Sequence, residues 1–301
     1  MNDPEIIALR EVIAKRVRSD DIAQRRRDID ARGLQYKLAP DARVEPVSAN
    51  GVKAEWSGTA DADPSKVVLY LHGGGYVIGS LDSHRHLAIE IGRAARARTL
   101  AIDYRLAPEH PFPAAVDDAL AAYRFLLADG VQPGGITIAG DSAGGGLVVA
   151  AMLAIRDSGL PQPACGWAIS PWVDMEALGE SMISKAAIDP TVQKAGILDM
   201  AKQYLNAADP RAPLAAPIYA NLRGLAPLLI QVGAAETLLD DAIRLAQVAG
   251  AADVAVDLQI WPEMIHVWHM YYPELAAGRR AIAVGGEFAR AMSSRGSRSG
   301  F

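Results

Sequence analysis

Cysteine is almost absent: Cys165 is the single one in 301 residues, so no internal disulfide can form. It falls in the apolar run 164–169, which predicts a buried, unreactive thiol. An excess of positive charge is also missing. The 30 Lys and Arg against 35 Asp and Glu leave a net charge of −5, whereas a nucleic-acid binder concentrates basic residues on one face. The densest basic run, Arg25-Arg26-Arg27, is flanked by Asp20, Asp21, Asp28 and Asp30, and predicts a solvated helix face. No stretch approaches the roughly 18 continuous apolar residues of a membrane span. Residues 1–21 are charged throughout and lack the apolar core of a signal peptide. The expectation is a soluble, cytoplasmic protein with no nucleic-acid or membrane partner.

What is abundant is apolar residue, half of the chain, enough for one large core. Short apolar runs at 67–71, 100–103, 136–139, 165–170, 228–232 and 256–260 predict buried strands, because a parallel strand covered on both faces needs near-continuous apolarity. Amphipathic helical patterns separate them at 83–98 and 114–127, and Ile282 and Phe288 fit a last helix before a frayed Ser/Arg/Gly tail. Ahead of these, 43–47 and 52–56 flank Ala49-Asn50-Gly51, a hairpin signal. The sum is an α/β protein with a mostly parallel, doubly wound sheet of about eight strands and an antiparallel start.

Two stretches exceed that minimum. Residues 1–40 hold two helical patterns, the first opened by Asp3-Pro4 with Ile6, Leu9, Ile13 and Val17 on one face. Between 170 and 228 lie 57 residues, where an ordinary connection takes about 2–6 or one helix. The expected organisation is a core of 41–170 and 223–301, with 1–40 and 171–222 as a discontinuous helical cap over the C-terminal strand ends, where such sheets bind ligands.

Gly140-Asp141-Ser142-Ala143-Gly144 stands between a predicted strand and the helix-forming run 147–155. Gly-x-Ser-x-Gly in that context is a strained turn that exposes a nucleophilic hydroxyl, as in α/β hydrolases. His72-Gly73-Gly74-Gly75 follows another strand, and its glycines free backbone N–H groups to meet an oxyanion. Without Gly-Lys-Ser/Thr it does not read as a phosphate loop. A hydrolase of this order takes its histidine from the loop after the last strand, where His266 is nearer the strand end than His269. His72 is expected to brace the glycine loop. The acid belongs after 228–232, where Glu236, Asp240 and Asp241 compete; Glu236 is closest to the strand, and the two aspartates suit the next helix start.

These motifs, with Asp103-Tyr104-Arg105-Leu106-Ala107-Pro108-Glu109-His110-Pro111-Phe112-Pro113-Ala114 and 261–266, resemble the bacterial hormone-sensitive-lipase group of esterases along nearly the whole chain. The resemblance implies an α/β-hydrolase fold with Ser142 as nucleophile and His266 as base. It also implies Gly74, Gly75 and Ala143 as oxyanion donors, and no metal or cofactor. The family's usual acid is Asp within Gly-x-x-Asp-x-Leu-x-Asp, and Glu236 occupies that position here. Arg105 and Glu109 match the family's structural framework. The activity implied is carboxylesterase, by an acyl-enzyme, on small-molecule esters with short to medium acyl chains; a homodimer is a family tendency. A lactone or amide hydrolase using the same residues, or a non-catalytic receptor on this scaffold, are the alternatives. Tyr76, Trp172 and Met175 are expected to line an apolar cleft, with core packing as the competing role for each.

Overall fold

The computed structural model describes residues 3–296. Its eight strands are β1 Arg43–Ala49, β2 Val52–Gly58, β3 Asp63–Leu71, β4 Ala97–Ile102, β5 Ile136–Asp141, β6 Cys165–Ile169, β7 Leu228–Gly233 and β8 Val256–Trp261. The helices are α1 Pro4–Ala14, α2 Ile22–Gly33, α3 Leu81–Ala95, α4 Ala114–Ala128, α5 Ala143–Asp157, α6 Ser181–Ser184, α7 Lys194–Leu205, α8 Leu239–Ala251 and α9 Ala276–Gly296. The tail expected after the last helix lies, beyond residue 296, outside the described residues.

The sheet runs β1-β2-β4-β3-β5-β6-β7-β8. β2 is antiparallel to β1 and to β4, and every other pair is parallel. Ala49 pairs with Val52 across a two-residue turn, with φ of 52° at Asn50 and 92° at Gly51. An Asn-Gly turn with both residues at positive φ matches the twist of a hairpin. The central strands are apolar on both sides because both are covered. In β3, Val67, Leu69 and Leu71 join the core cluster of α4 and α5 on one face, while Val68 and Tyr70 join a second cluster with residues of α3 and α9 on the other. β8 departs from the buried strand expected: it is the outer strand of the sheet, and Ile260 is 44% exposed. β3 starts four residues earlier than its apolar run, because the exposed Asp63–Ser65 end carries no hydrophobic signal.

α1 forms as expected, with Asp3 accepting from the Glu5 N–H and Pro4 in the first turn. Its Ile6 and Ile13 are buried with Met264, Ile265, Trp268 and Leu275. Val17 does not share that face; it lies beyond the helix end and is 92% exposed. α2 sits directly on the start of α3: a Cβ at Gly33 would fall 2.4 Å from the Asp82 carbonyl oxygen. The Arg25-Arg26-Arg27 run is not the uniformly solvated face expected. Arg26 turns inward, donating to the carbonyls of Val77 and Ala107 at 2.9 Å and to both carboxylate oxygens of Glu109 at 2.8 Å. Those unpaired loop carbonyls accept a guanidinium readily, and only Arg27 spends its donors on its own helix, at Gln24.

The segment between β6 and β7 carries α6 and α7. α7 buries Ile197, Ala201, Tyr204 and Leu205 in the main core. The segment is tied down by polar anchors: Asp241 accepts from the Val173 and Asp174 N–H groups, Arg244 donates to Asp174 at 2.5 Å, and Asp240 accepts from the Ser181 N–H. No described helix is long and apolar enough to cross a membrane.

Candidate active site

The turn from β5 into α5 forces Ser142 to φ 55°, ψ −120°. A non-glycine residue there is strained, and such strain concentrates at functional sites. The neighbours that permit it must lack side chains: a Cβ on Gly144 would lie 2.0 Å from the Leu71 carbonyl oxygen, and one on Gly140 only 2.5 Å from it. Ser142 therefore sits at the mouth of α5, against the end of β3.

The glycine loop leaves β3 beside it, with φ of 118° at Gly74 and 63° at Gly75. Asp141 fixes this loop to the turn. Its Oδ1 accepts from the Gly73 N–H at 3.1 Å and the Tyr70 hydroxyl at 2.6 Å, and its Oδ2 lies 3.4 Å from His84 Nε2. Burial is the largest influence on its pKa and pushes it up, but His84, Tyr70 and His72 together bring it below the ordinary carboxylate value. His72 braces the loop from behind: its ring stacks on Tyr104 at 4.2 Å, and its carbonyl accepts from the Tyr104 hydroxyl. Among the described residues no hydrogen bond takes the N–H of Gly74 or Gly75. Ala143 is the first residue of α5, where an amide has no partner within the helix.

His266, on the loop after β8, has Nε2 at 2.9 Å from Ser142 Oγ and Nδ1 at 2.7 Å from Glu236 Oε2. Glu236 is fully buried, and its other oxygen accepts from the Gly233 N–H at 2.6 Å and the Ser170 hydroxyl at 2.9 Å. Ser170 in turn accepts from the Val267 N–H, so one hydroxyl ties the acid to the histidine loop. Burial is the largest influence on His266 and lowers its pKa. The hydrogen bond and charge of Glu236, with Asp189 and Asp141 behind it, outweigh burial and leave the pKa raised. His269 is placed elsewhere: Gln231 holds its Nε2 at 2.9 Å, and burial lowers its pKa to about 3. Asp240 and Asp241 face the 171–222 segment, and burial pushes Asp241 up to about 7.

A cleft of about 260 Å³ opens over Ser142. Gly74, Gly75, His266 and Trp172 line its floor, Val192, Gln193, Ile197 and Met200 one wall, and Ile13, Val17, Ile29 and several arginines another. Tyr76 and Met175 are not among its lining residues. Both are buried in the main core, where Tyr76 stacks on Tyr204 at 3.8 Å. Cys165 is buried as expected, its thiol pushed up to about 12. Asp141 and Ser170 have roles that sequence reasoning missed. A carboxylate inside Gly-x-Ser-x-Gly was a usable signal for the first; a serine ending a strand is too common to be one for the second.

The chain matches a family model described as alpha/beta hydrolase fold over residues 68–270. It is 46% identical to an acetyl-hydrolase of Streptomyces hygroscopicus, over 98% of this chain and 99% of that one. Among solved structures it is similar to an esterase from the bacterial hormone-sensitive lipase family, with TM-score 0.95 and 48% identity over 97% of this chain and 99% of that one. It is similar too to the crystal structure of EstE5 soaked with p-nitrophenyl butyrate, with TM-score 0.94 and 46% identity over 97% of this chain and 100% of that one.

Proposed function

The chain belongs to the hormone-sensitive-lipase group of α/β-hydrolase carboxylesterases, and from that premise we propose that it cleaves short- to medium-chain acyl esters through Ser142, His266 and Glu236. The observation that carries this reading is the unbroken hydrogen-bond line from the Ser142 hydroxyl through both His266 nitrogens to a buried carboxylate.

The chemistry follows from that line. His266 Nε2 takes the proton as Ser142 Oγ attacks the ester carbonyl, and Glu236 holds Nδ1–H in place while stabilising the imidazolium that forms. The N–H groups of Gly74, Gly75 and Ala143 receive the oxyanion of the tetrahedral intermediate. The intermediate collapses as His266 returns the proton to the departing alcohol, leaving an acyl group on Ser142. Water, deprotonated by the same imidazole, then releases the acid. Residues 1–40 and 171–222 act as a discontinuous cap that narrows the cleft over the core of 41–170 and 223–301. The small cleft volume and the close approach of Met200 to Gly75 support a short acyl group: a Cβ on Gly75 would meet the Met200 sulfur at 2.1 Å.

A p-nitrophenyl ester series from two to twelve acyl carbons tests the reading. kcat/KM should peak between about 2 and 8 carbons, with a pre-steady-state burst of one p-nitrophenol per chain on the best substrate wherever deacylation limits turnover. A maximum at twelve carbons, or activation by emulsified long-chain triglyceride, would reject it.

A further inference from the structure

The wall of the cleft formed by α1, α2 and the turn between them presents Arg16, Arg18, Arg25 and Arg32. In a chain of net charge −5, four guanidinium groups around one opening are not a product of composition. The carboxylates at hand leave them incompletely balanced. Of the two acids that line the cleft, Asp141 is engaged by Tyr70, Gly73 and His84, and Asp28 accepts from Gln24 while facing Arg32. Asp189, whose charge reaches Arg18, is buried and accepts from Thr191, Val192 and Thr237.

Two of the four have visible anchors: Arg16 donates to the Tyr271 hydroxyl at 3.0 Å, and Arg18 to the Pro190 carbonyl at 3.0 Å. Among the described residues no hydrogen bond or ion pair engages the side chain of Arg25 or Arg32, although both are half-buried. The crowding is felt electrostatically. Arg18 is held below the ordinary guanidinium pKa by burial first and then by Arg25 and Arg16; Arg32 is lowered by burial, then by Arg16 and Arg18. An anion between them relieves that repulsion and fills the free donors, and a guanidinium pair matches a carboxylate's two oxygens.

Resting on the function proposed above, we propose that the preferred esters carry a carboxylate at the end remote from the scissile bond, received by Arg25 and Arg32 with Arg16 and Arg18 flanking. Two matched pairs test this and locate the anion. In one, p-nitrophenyl hexanoate is compared with mono-p-nitrophenyl adipate, where a carboxylate replaces the terminal methyl of the acyl chain. In the other, butyl acetate is compared with 4-acetoxybutanoate, where it replaces that of the alcohol. In at least one pair the anionic-to-neutral ratio of kcat/KM should fall on the order of tenfold or more in Arg25→Gln/Arg32→Gln. It should fall further in Arg25→Glu/Arg32→Glu, and should fall in the wild type as salt is raised. A purely structural disturbance would lower both members of a pair and leave the ratio unmoved. Ratios unchanged within about twofold in both pairs, in a wild type that cleaves the neutral esters, would overturn the carboxylate assignment alone. A wild type that cleaves neither neutral ester would overturn the underlying function and this inference with it.

Discussion

In the proposed triad Glu236 stands where the family usually has aspartate, and its carboxylate is fixed by hydrogen bonds. Gly233 and Ser170 pin one carboxylate oxygen and leave the other facing His266. Glu236→Gln preserves the shape but removes the charge that stabilises an imidazolium. By analogy with the serine-protease template, kcat on a short ester should fall by about two to four orders of magnitude. The pH profile gives a second readout. The proposed mechanism needs neutral His266, so kcat/KM should rise with pH through a pKa above the ordinary imidazole value of about 6.5. Without the Glu236 charge, burial dominates and the rise should move to lower pH. Asp240→Asn should instead loosen the α6 anchor at Ser181, lowering the unfolding midpoint with only a modest change in kcat. Collapse of turnover in Asp240→Asn with near-normal Glu236→Gln would transfer the acid's role to Asp240.

At the scale of elements, the strands and helices that carry apolar periodicity were readable because parallel strands and core-facing helices bury what they display. The features that escaped depend on partners distant in sequence. Arg26 looked like part of a solvated run because its acceptors at Val77, Ala107 and Glu109 are 51, 81 and 83 residues away. β8 shares the apolar look of its neighbours, and only its outer place in the sheet leaves it half exposed. Tyr76 sits beside the glycine loop in sequence, yet its positive φ and its stack on Tyr204 turn it into the core. Arg26→Ala should therefore destabilise by about 1–2 kcal/mol, allowing for the exposure of Glu109, and raise KM as α2 loses its hold. Arg27→Ala should stay within about 0.5 kcal/mol. Equal thermal midpoints for the two variants would contradict the clamp.

At the scale of the molecule, one twisted sheet brings together residues from three distant parts of the chain. Ser142 comes from the end of β5, Glu236 from the loop after β7, and His266 from the loop after β8. Their order along the chain and the motifs around them singled out Ser142 and His266, and left Glu236 as the nearest to the strand end of three competing carboxylates. The cleft and its arginine wall were not legible there, because they depend on where α1 and α2 stand relative to the loops after β3 and β8. The proposed mechanism requires that Ser142 become acylated. Its most direct test is to treat the protein with a serine-directed organophosphate, follow residual esterase activity, and map the adduct by peptide mass spectrometry. One adduct per chain on the peptide containing Ser142, formed in step with loss of activity and absent from an inactive but folded Ser142→Ala variant, is the predicted result. Undiminished turnover by Ser142→Ala, or inactivation that maps to another serine, would contradict it.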